Sequence, residues 1–351
     1  MVVGGLSARP RPGGACENGG MGSLGSVIEA GGLGGLEAEV FGATDASTVA
    51  EVLSSIVVAA TGERVASGLW YRSSVAAVAG VRLNGGGEAV VRAYQPSVSG
   101  EFLGGVVLVQ SHLAEVGFAC ARPLGEPVVV DGVLGRVESM LADPGQRRFA
   151  SSEMWVSAQG LAQLVALAAG LDPTGLERHP MALPDGGLYP APHSPLFDFE
   201  ATVAGAEWID EIATAARSAM TDGSSVIAHG DWSARNVRLG TDGLACVFDW
   251  ESLQSGPETM AVGVAAATWQ ALGEAGEPMA PSGPEILRYL DCYEQARPGG
   301  LSDGQRRSAC AAAVFALAYT ARCEHALRPG IRDGRASGRL AQDDGLRSLI
   351  S

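Results

Sequence analysis

The sequence predicts an α+β fold of two lobes: a small β-rich N-terminal lobe, then a larger and mainly helical C-terminal lobe. Three observations predict it. Two hairpin signals precede Asp143: Val75 to Leu83 with Glu88 to Tyr94, and Val128–Val130 with Val133 to Met140. After Asp143-Pro144-Gly145, apolar residues recur at helical spacing over long stretches. A short strand–turn–strand pattern, Ser225 to Phe248, interrupts those helices.

Residues 1–44 are Gly-rich and without periodicity, which predicts a flexible extension; Met21 is a candidate alternative start. At Thr48-Val49-Ala50-Glu51 a capping-box pattern opens a helix. Its apolar face is Val49, Val52, Leu53, Ile56, Val57 and Ala60. The first hairpin turns at Asn84-Gly85-Gly86-Gly87. A helix follows from Phe102 to Val116 and stops at Gly117. Asp131-Gly132 then predicts a type I′ turn in the second hairpin. The N-lobe is therefore residues 45–138.

Residues 139–327 form the C-lobe. Met154 to Leu171 is helical, and a loop rich in proline (Pro180, Pro184, Pro190, Pro192, Pro195) leads to a helix over Trp208 to Met220. Ser225 to Ala228 reads as a buried strand. Val237–Leu239 and Leu244–Phe248 flank Gly240-Thr241-Asp242-Gly243 as a hairpin. Helices follow at Glu258–Leu272, Pro284–Ala296 and Asp303–Leu327. The polar, Gly- and Arg-rich residues 328–351 read as a flexible tail.

Composition narrows the function. The 351 residues carry 39 acidic and 24 basic side chains, a net charge of −15. That argues against nucleic-acid binding, which needs a basic face, and suits a cationic small molecule. All 24 basic residues are Arg. Lysine Schiff-base chemistry and the usual P-loop lysine are thereby excluded. Six cysteines without a C-x-x-C pair read as buried, reduced thiols. No signal peptide or membrane-length apolar run is present, so a cytoplasmic location is expected.

The chemistry-bearing segment is His229-Gly230-Asp231-Trp232-Ser233-Ala234-Arg235-Asn236, followed across the hairpin by Asp249-Trp250-Glu251. A strand ends and a loop presents Asp231. Asn236 projects from the same loop, and the hairpin returns Asp249 to it. One carboxylate can orient and deprotonate a hydroxyl. Asn236 and Asp249 offer hard oxygen ligands to Mg²⁺, which prefers carboxylates plus substrate phosphates. Phosphoryl transfer needs this set of parts. An isolated H-G-D is also compatible with a simple turn. Its coincidence with a preceding strand, Asn five residues on, a hairpin and D-W-E favours the site.

H-G-D-x-x-x-x-N followed by D-W-E resembles the aminoglycoside phosphotransferase family, the small-molecule branch of the protein-kinase-like fold. The resemblance spans residues 48–327. It implies that Asp231 is the catalytic base or hydroxyl-orienting residue, and that Asn236 and Asp249 bind Mg²⁺ bridging the phosphates of ATP, with GTP as the alternative nucleotide. It implies a nucleotide between the lobes and a hinge at Val137–Met140, with Glu138 and Met140 as contacts. Leu113 to Leu124 resembles the end of the family's first-lobe helix. The first lobe departs from the family: it has no G-x-G-x-x-G, and Ser67-Gly68 and Arg72-Ser73-Ser74 are weak candidates for the phosphate-facing loop. The family's strand lysine is missing, and Arg92 stands in the matching place. Its helix partner is open between Glu101 and Gln110.

His229 is expected to support the loop by hydrogen bonding rather than to touch substrate. His193, Asp198, Glu251 and Glu324 are candidate substrate contacts. Pro-rich linker and solvated helix face are the plain alternatives for His193, Asp198 and Glu324. Asp291, Glu294 and Glu324 form a candidate acidic wall for an amino group. The expected activity is phosphorylation of a hydroxyl on an amine-bearing antibiotic, aminoglycoside-like or nucleoside-like, in resistance or biosynthesis. The alternatives are a metabolic kinase of sugars, choline or homoserine, and a nucleotide-binding pseudokinase acting as an interaction module.

Overall fold

Alternating small apolar residues build the first part of the chain. A computed structural model describes residues 22–145, 149–179, 181, 187–192, 194–221, 223–240, 243–272 and 277–350. Two compact units emerge: one runs to Ala142 and includes Thr174–Leu176; the other holds Asp143–Pro173 and the chain from Glu177. The boundary falls a few residues beyond the expected 138/139.

The first unit is an antiparallel sheet in the order β1-β2-β3-β5-β4. Its strands are β1 (Val65–Ser73), β2 (Ala76–Leu83), β3 (Glu88–Tyr94), β4 (Val128–Val130) and β5 (Val133–Ser139). Both hairpins form as expected. Asp131 and Gly132 have φ of 50° and 82°, the pair of positive values that a type I′ turn requires. Successive strand residues face opposite ways. Ala77, Ala79, Val81, Ala89, Val91, Ala93 and Val137 therefore share one face, covered by α3 (Ala46–Thr61) through Val49, Leu53, Ile56 and Val57. Asp45 caps α3 by accepting from the Thr48 amide at 2.9 Å, so the helix begins earlier than the Thr48 capping box suggests. On the opposite face, α4 (Gly100–Glu115) sets Leu103 against Ala76 and Tyr94.

The Gly-rich segment after residue 21 is not a flexible extension. It forms α1 (Leu24–Gly31) and α2 (Gly35–Phe41), with Ile28 fully buried against the sheet. Gly42 at φ 65° supplies a left-handed stop that glycine adopts without strain. Glu37 accepts a buried 2.6 Å hydrogen bond from Tyr71 Oη. Ser67-Gly68 lies within β1, where a Cβ on Gly68 would come within 2.9 Å of Leu24 Cα. That pair supports α1 and is not a phosphate-facing loop.

The second unit contains α5 (Met154–Leu167), β6 (Glu177–Arg178), α6 (Glu207–Ala219), β7 (Ser225–His229), β8 (Val237–Gly240) and β9 (Gly243–Val247). Then come β10 (Leu253–Pro257), α7 (Glu258–Thr268), α8 (Gly283–Ala296) and α9 (Asp303–Leu327). β10 pairs with β7 and β6, and β8 with β9. The core is α7 against α9, where alanines 309, 311–313, 316 and 318 are buried. A Cβ on Gly263 would press on the Ala309 carbonyl and reach within 2.7 Å of Ala312 Cβ. On an exposed helix Gly→Ala would stabilise. Here Gly263→Ala is expected to cost about 1–3 kcal/mol by overpacking, read as a lower midpoint in urea unfolding.

Residues after Arg328 are not a loose tail either. They form α10 (Arg335–Gln342) and α11 (Asp344–Ser348), with Ala336, Leu340 and Leu346 buried. Glu324 holds α10 by accepting from the amides of Ala336 and Ser337, both at 2.9 Å. Among the described residues, no single helix is long and apolar enough to cross a membrane.

Candidate active site

β7 ends at His229, whose ring ties two segments together. Its Nε2 lies 2.9 Å from the Phe248 carbonyl, and its Nδ1 accepts the Asp231 amide at 3.3 Å. Those partners match the tautomer that carries the proton on Nε2. The ring is buried edge-on between Trp232 and Trp250. Its role is to hold the loop beside the hairpin end.

Gly230 donates to the Ser252 carbonyl at 2.7 Å, and a Cβ there would lie 2.5 Å from Gln254 Cδ. The next residue is Asp231. Its Oδ1 accepts from Ser233 Oγ at 3.1 Å, while its Oδ2 is buried without a partner. Leaving a buried carboxylate oxygen unmatched is costly, so such an atom asks for a function. The loop around it is firmly held. Trp232 Nε1 donates to the Ser157 carbonyl of α5, and the Ala234 amide to the Trp269 carbonyl, both at 2.9 Å.

Asn236 closes the loop by donating from Nδ2 to the Asp231 carbonyl at 3.1 Å. This uses the amide nitrogen and leaves the oxygen for a ligand. The Phe248 amide donates to the Asn236 carbonyl at 2.9 Å, which draws Asp249 to the same place. Asp249 has φ 62° and ψ 53°, left-handed backbone in a residue other than glycine. Asp adopts this region more readily than most residues, and here the Phe248–Asn236 backbone bond holds the segment in place. Ser252 Oγ donates to Asp249 Oδ2 at 3.1 Å. Asn236 and Asp249 thus fit a hard cation as a neutral and a charged oxygen donor. Among the described residues no group of three His, Cys, Asp or Glu could hold a metal by itself. Two protein ligands completed by phosphates are what Mg²⁺ takes.

In the first unit, register lines up Arg72, Val78, Arg92 and Arg136 across β1, β2, β3 and β5. Arg92 pairs with a carboxylate of the neighbouring strand β5. Its Nε and Nη2 both reach Glu138 Oε1, at 3.3 Å. α4 contributes Gln110 instead, which donates to Glu138 Oε2 at 2.9 Å and accepts from Arg136 Nη1 at 2.7 Å. Arg136 also donates to Tyr94 Oη at 2.8 Å. Two guanidiniums thus flank one carboxylate. Arg82 pairs with Glu88 at 2.6 Å on the solvent-exposed side. Cys120 lies nearby, and burial together with Glu138 pushes its thiol up to about 12. It is inert at neutral pH.

The remaining expected residues are dispersed. The Met140 amide donates to the Glu88 carbonyl at 3.0 Å, so the amide of this expected nucleotide contact is already engaged. Asp198 is exposed and accepts from the Ala201 amide at 2.8 Å. Glu251 is half-buried in the turn after Asp249. His193 lies outside the described residues. Glu324 caps α10, and Asp291 and Glu294 both bind Arg306, at 2.6 and 2.9 Å. These three carboxylates serve internal contacts and do not form an open acidic wall.

A family model described as the phosphotransferase enzyme family matches residues 79–298. Among solved structures, the chain is similar to the amicoumacin kinase hAmiN in complex with AMP-PNP, Ca²⁺ and Ami. That match has 12% identity and a TM-score of 0.53, covering 79% of this chain and 86% of that one. It is also similar to an aminoglycoside phosphotransferase from Alicyclobacillus acidocaldarius subsp. acidocaldarius DSM 446 (13% identity, TM-score 0.52, covering 82% and 92%). The spectinomycin phosphotransferase APH(9)-Ia, solved with ADP and spectinomycin, matches at 10% identity and TM-score 0.50, covering 85% and 93%. At these identities the likeness establishes the protein-kinase-like fold. No functionally curated protein matches the sequence.

Proposed function

Because the chain belongs to the phosphotransferase enzyme family, we propose that it is an ATP- and Mg²⁺-dependent small-molecule kinase acting on a hydroxyl group. The observation that carries this reading is the buried, unpartnered Oδ2 of Asp231 beside the oxygen donors Asn236 and Asp249. Asp231 Oδ2 would accept the proton of the acceptor hydroxyl as its oxygen bonds to the γ-phosphorus, while the bond from that phosphorus to the bridging oxygen breaks and ADP leaves. Ser233, donating to Oδ1, fixes the carboxylate plane. Asn236 and Asp249 would hold Mg²⁺, which when bound neutralises charge on the phosphate oxygens. Nucleotide use agrees with solved neighbours that carry AMP-PNP with Ca²⁺ or ADP.

With no lysine in the chain, any side-chain cation that meets the triphosphate is an arginine; metal and backbone amides are the alternative. Arg92, steadied by Glu138, is our candidate. Arg92→Ala is expected to raise KM for ATP and to lower kcat/KM by about 1.5–3 kcal/mol, the scale of a hydrogen bond to a charged group. Arg92→Lys should restore part of this, because an ammonium cannot reproduce the planar fork. Unchanged ATP kinetics in Arg92→Ala would remove Arg92 from the site.

The acceptor is proposed to be a hydroxyl of an amine-bearing antibiotic, and the cytoplasm, where ATP is available, is the proposed location. The net charge of −15 favours cationic over anionic acceptors. ADP release with Mg²⁺ would be followed across aminoglycosides, nucleoside antibiotics, sugars, choline and homoserine. Stimulation by amine-bearing antibiotics is expected. ATP binding with no acceptor stimulating release would favour a pseudokinase. Stimulation by choline, homoserine or sugars alone would favour a metabolic kinase.

A further inference from the structure

Arg238 lies on β8, two residues beyond Asn236, and is only 7% exposed. Its Nη1 donates to the carbonyls of Ala234 at 2.9 Å, Arg235 at 2.8 Å and Val237 at 3.3 Å. Its Nε donates to Asp143 Oδ1 at 3.0 Å. The guanidinium carbon sits 5.3 Å from the centre of the Phe248 ring. The three carbonyls bracket Asn236, and Phe248 immediately precedes Asp249. One cation therefore grips both segments that carry the oxygen donors of the site.

The grip does not come mainly from the ion pair. The Asp143 side chain is 47% exposed, and pairs of that kind contribute little. The carbonyl cage and the aromatic face remain. Three carbonyls converging in a tight buried loop need a donor, since unmatched buried acceptors are costly. A planar, weakly hydrated guanidinium can meet the carbonyls at its edge and a ring at its face, whereas an ammonium is a compact point charge.

We propose that Arg238 is a positioning residue for the metal–nucleotide site: through the loop carbonyls and the Phe248 ring it sets the spacing of Asn236 and Asp249. The inference rests on the reading that those two residues hold Mg²⁺ with ATP. The test is calorimetric titration of ATP into the full-length protein, with and without Mg²⁺. Wild-type protein should bind ATP more tightly with Mg²⁺. Arg238→Gln should weaken binding about tenfold in the presence of Mg²⁺, the scale of losing an outer partner of a metal site, and leave metal-free binding unchanged. Arg238→Lys should recover part of the loss. Phe248→Leu, which removes only the ring, should show a smaller loss in the same arm. Asp143→Asn should stay within about twofold of wild type. A full Mg²⁺-dependent gain in Arg238→Gln, or equal losses with and without Mg²⁺, would overturn the proposal. So would wild-type behaviour of both Arg238→Lys and Phe248→Leu. Wild-type protein without any Mg²⁺-dependent gain would overturn the metal reading of Asn236 and Asp249, and the proposal with it.

Discussion

Asp231→Asn is expected to lower kcat by about 10²–10⁴-fold, the usual contribution of a positioned acid–base group, with ATP affinity close to wild type. The substitution keeps the shape of the side chain and the oxygen that accepts from Ser233 Oγ at 3.1 Å. It replaces the unpartnered Oδ2 with an NH₂ group, which donates hydrogen bonds and cannot take a proton from an attacking hydroxyl. The loss belongs to the transition state, so kcat and kcat/KM should fall together and KM should hardly move. Steady-state kinetics on any acceptor that stimulates ADP release decide it. Near-normal turnover would remove Asp231 from its assigned role.

The second large effect is expected at Asp249. Asn is the informative replacement, because Asp and Asn both tolerate the left-handed backbone that this position adopts at φ 62°. Asp249→Ala would mix loss of the ligand with backbone strain. Asp249→Asn removes the negative charge offered to Mg²⁺ and keeps the fold. ATP binding in the presence of Mg²⁺ should weaken by about 10²-fold, the upper end of what outer partners of metal sites cost and a reasonable floor for a direct ligand. Binding without Mg²⁺ should be unaffected. Equal weakening in both arms would mean a general disturbance of the loop.

The sequence announces this site more clearly than it announces the fold around it. His229 to Asn236 and Asp249 to Glu251 are consecutive in the chain, and a hairpin joins them, so local structure alone brings them together. Arg92 was legible as the end of a β-branched run, but its partner was not. Glu138 meets it only because β3 and β5 are neighbours, and strand order is a long-range property that periodicity does not carry. Arg238 gave no signal, because an arginine on a short strand reads as exposed until the carbonyls around it are seen. Residues 22–44 and 328–350 fold against the expectation that their composition sets. Glycine and arginine density suggested loose chain. In the folded protein Gly42 ends a helix, and Ala336, Leu340 and Leu346 are buried. Glu324 reads in sequence as a carboxylate on a C-terminal helix, and only the folded chain shows that it caps α10. Helices of a few turns bury too few residues to show a period, and tertiary contacts decide their existence.

The central claim is a division of labour: Asp231 serves the hydroxyl, while Asn236 and Asp249 serve the metal-bound nucleotide. The most direct measurement is one calorimetric series, ATP titrated with and without Mg²⁺ into wild type, Asp231→Asn and Asp249→Asn. Asp231→Asn should reproduce both wild-type affinities, and Asp249→Asn should lose only the part that Mg²⁺ adds. Equal loss in the two variants, or retention of the Mg²⁺-dependent part by Asp249→Asn, would contradict the account.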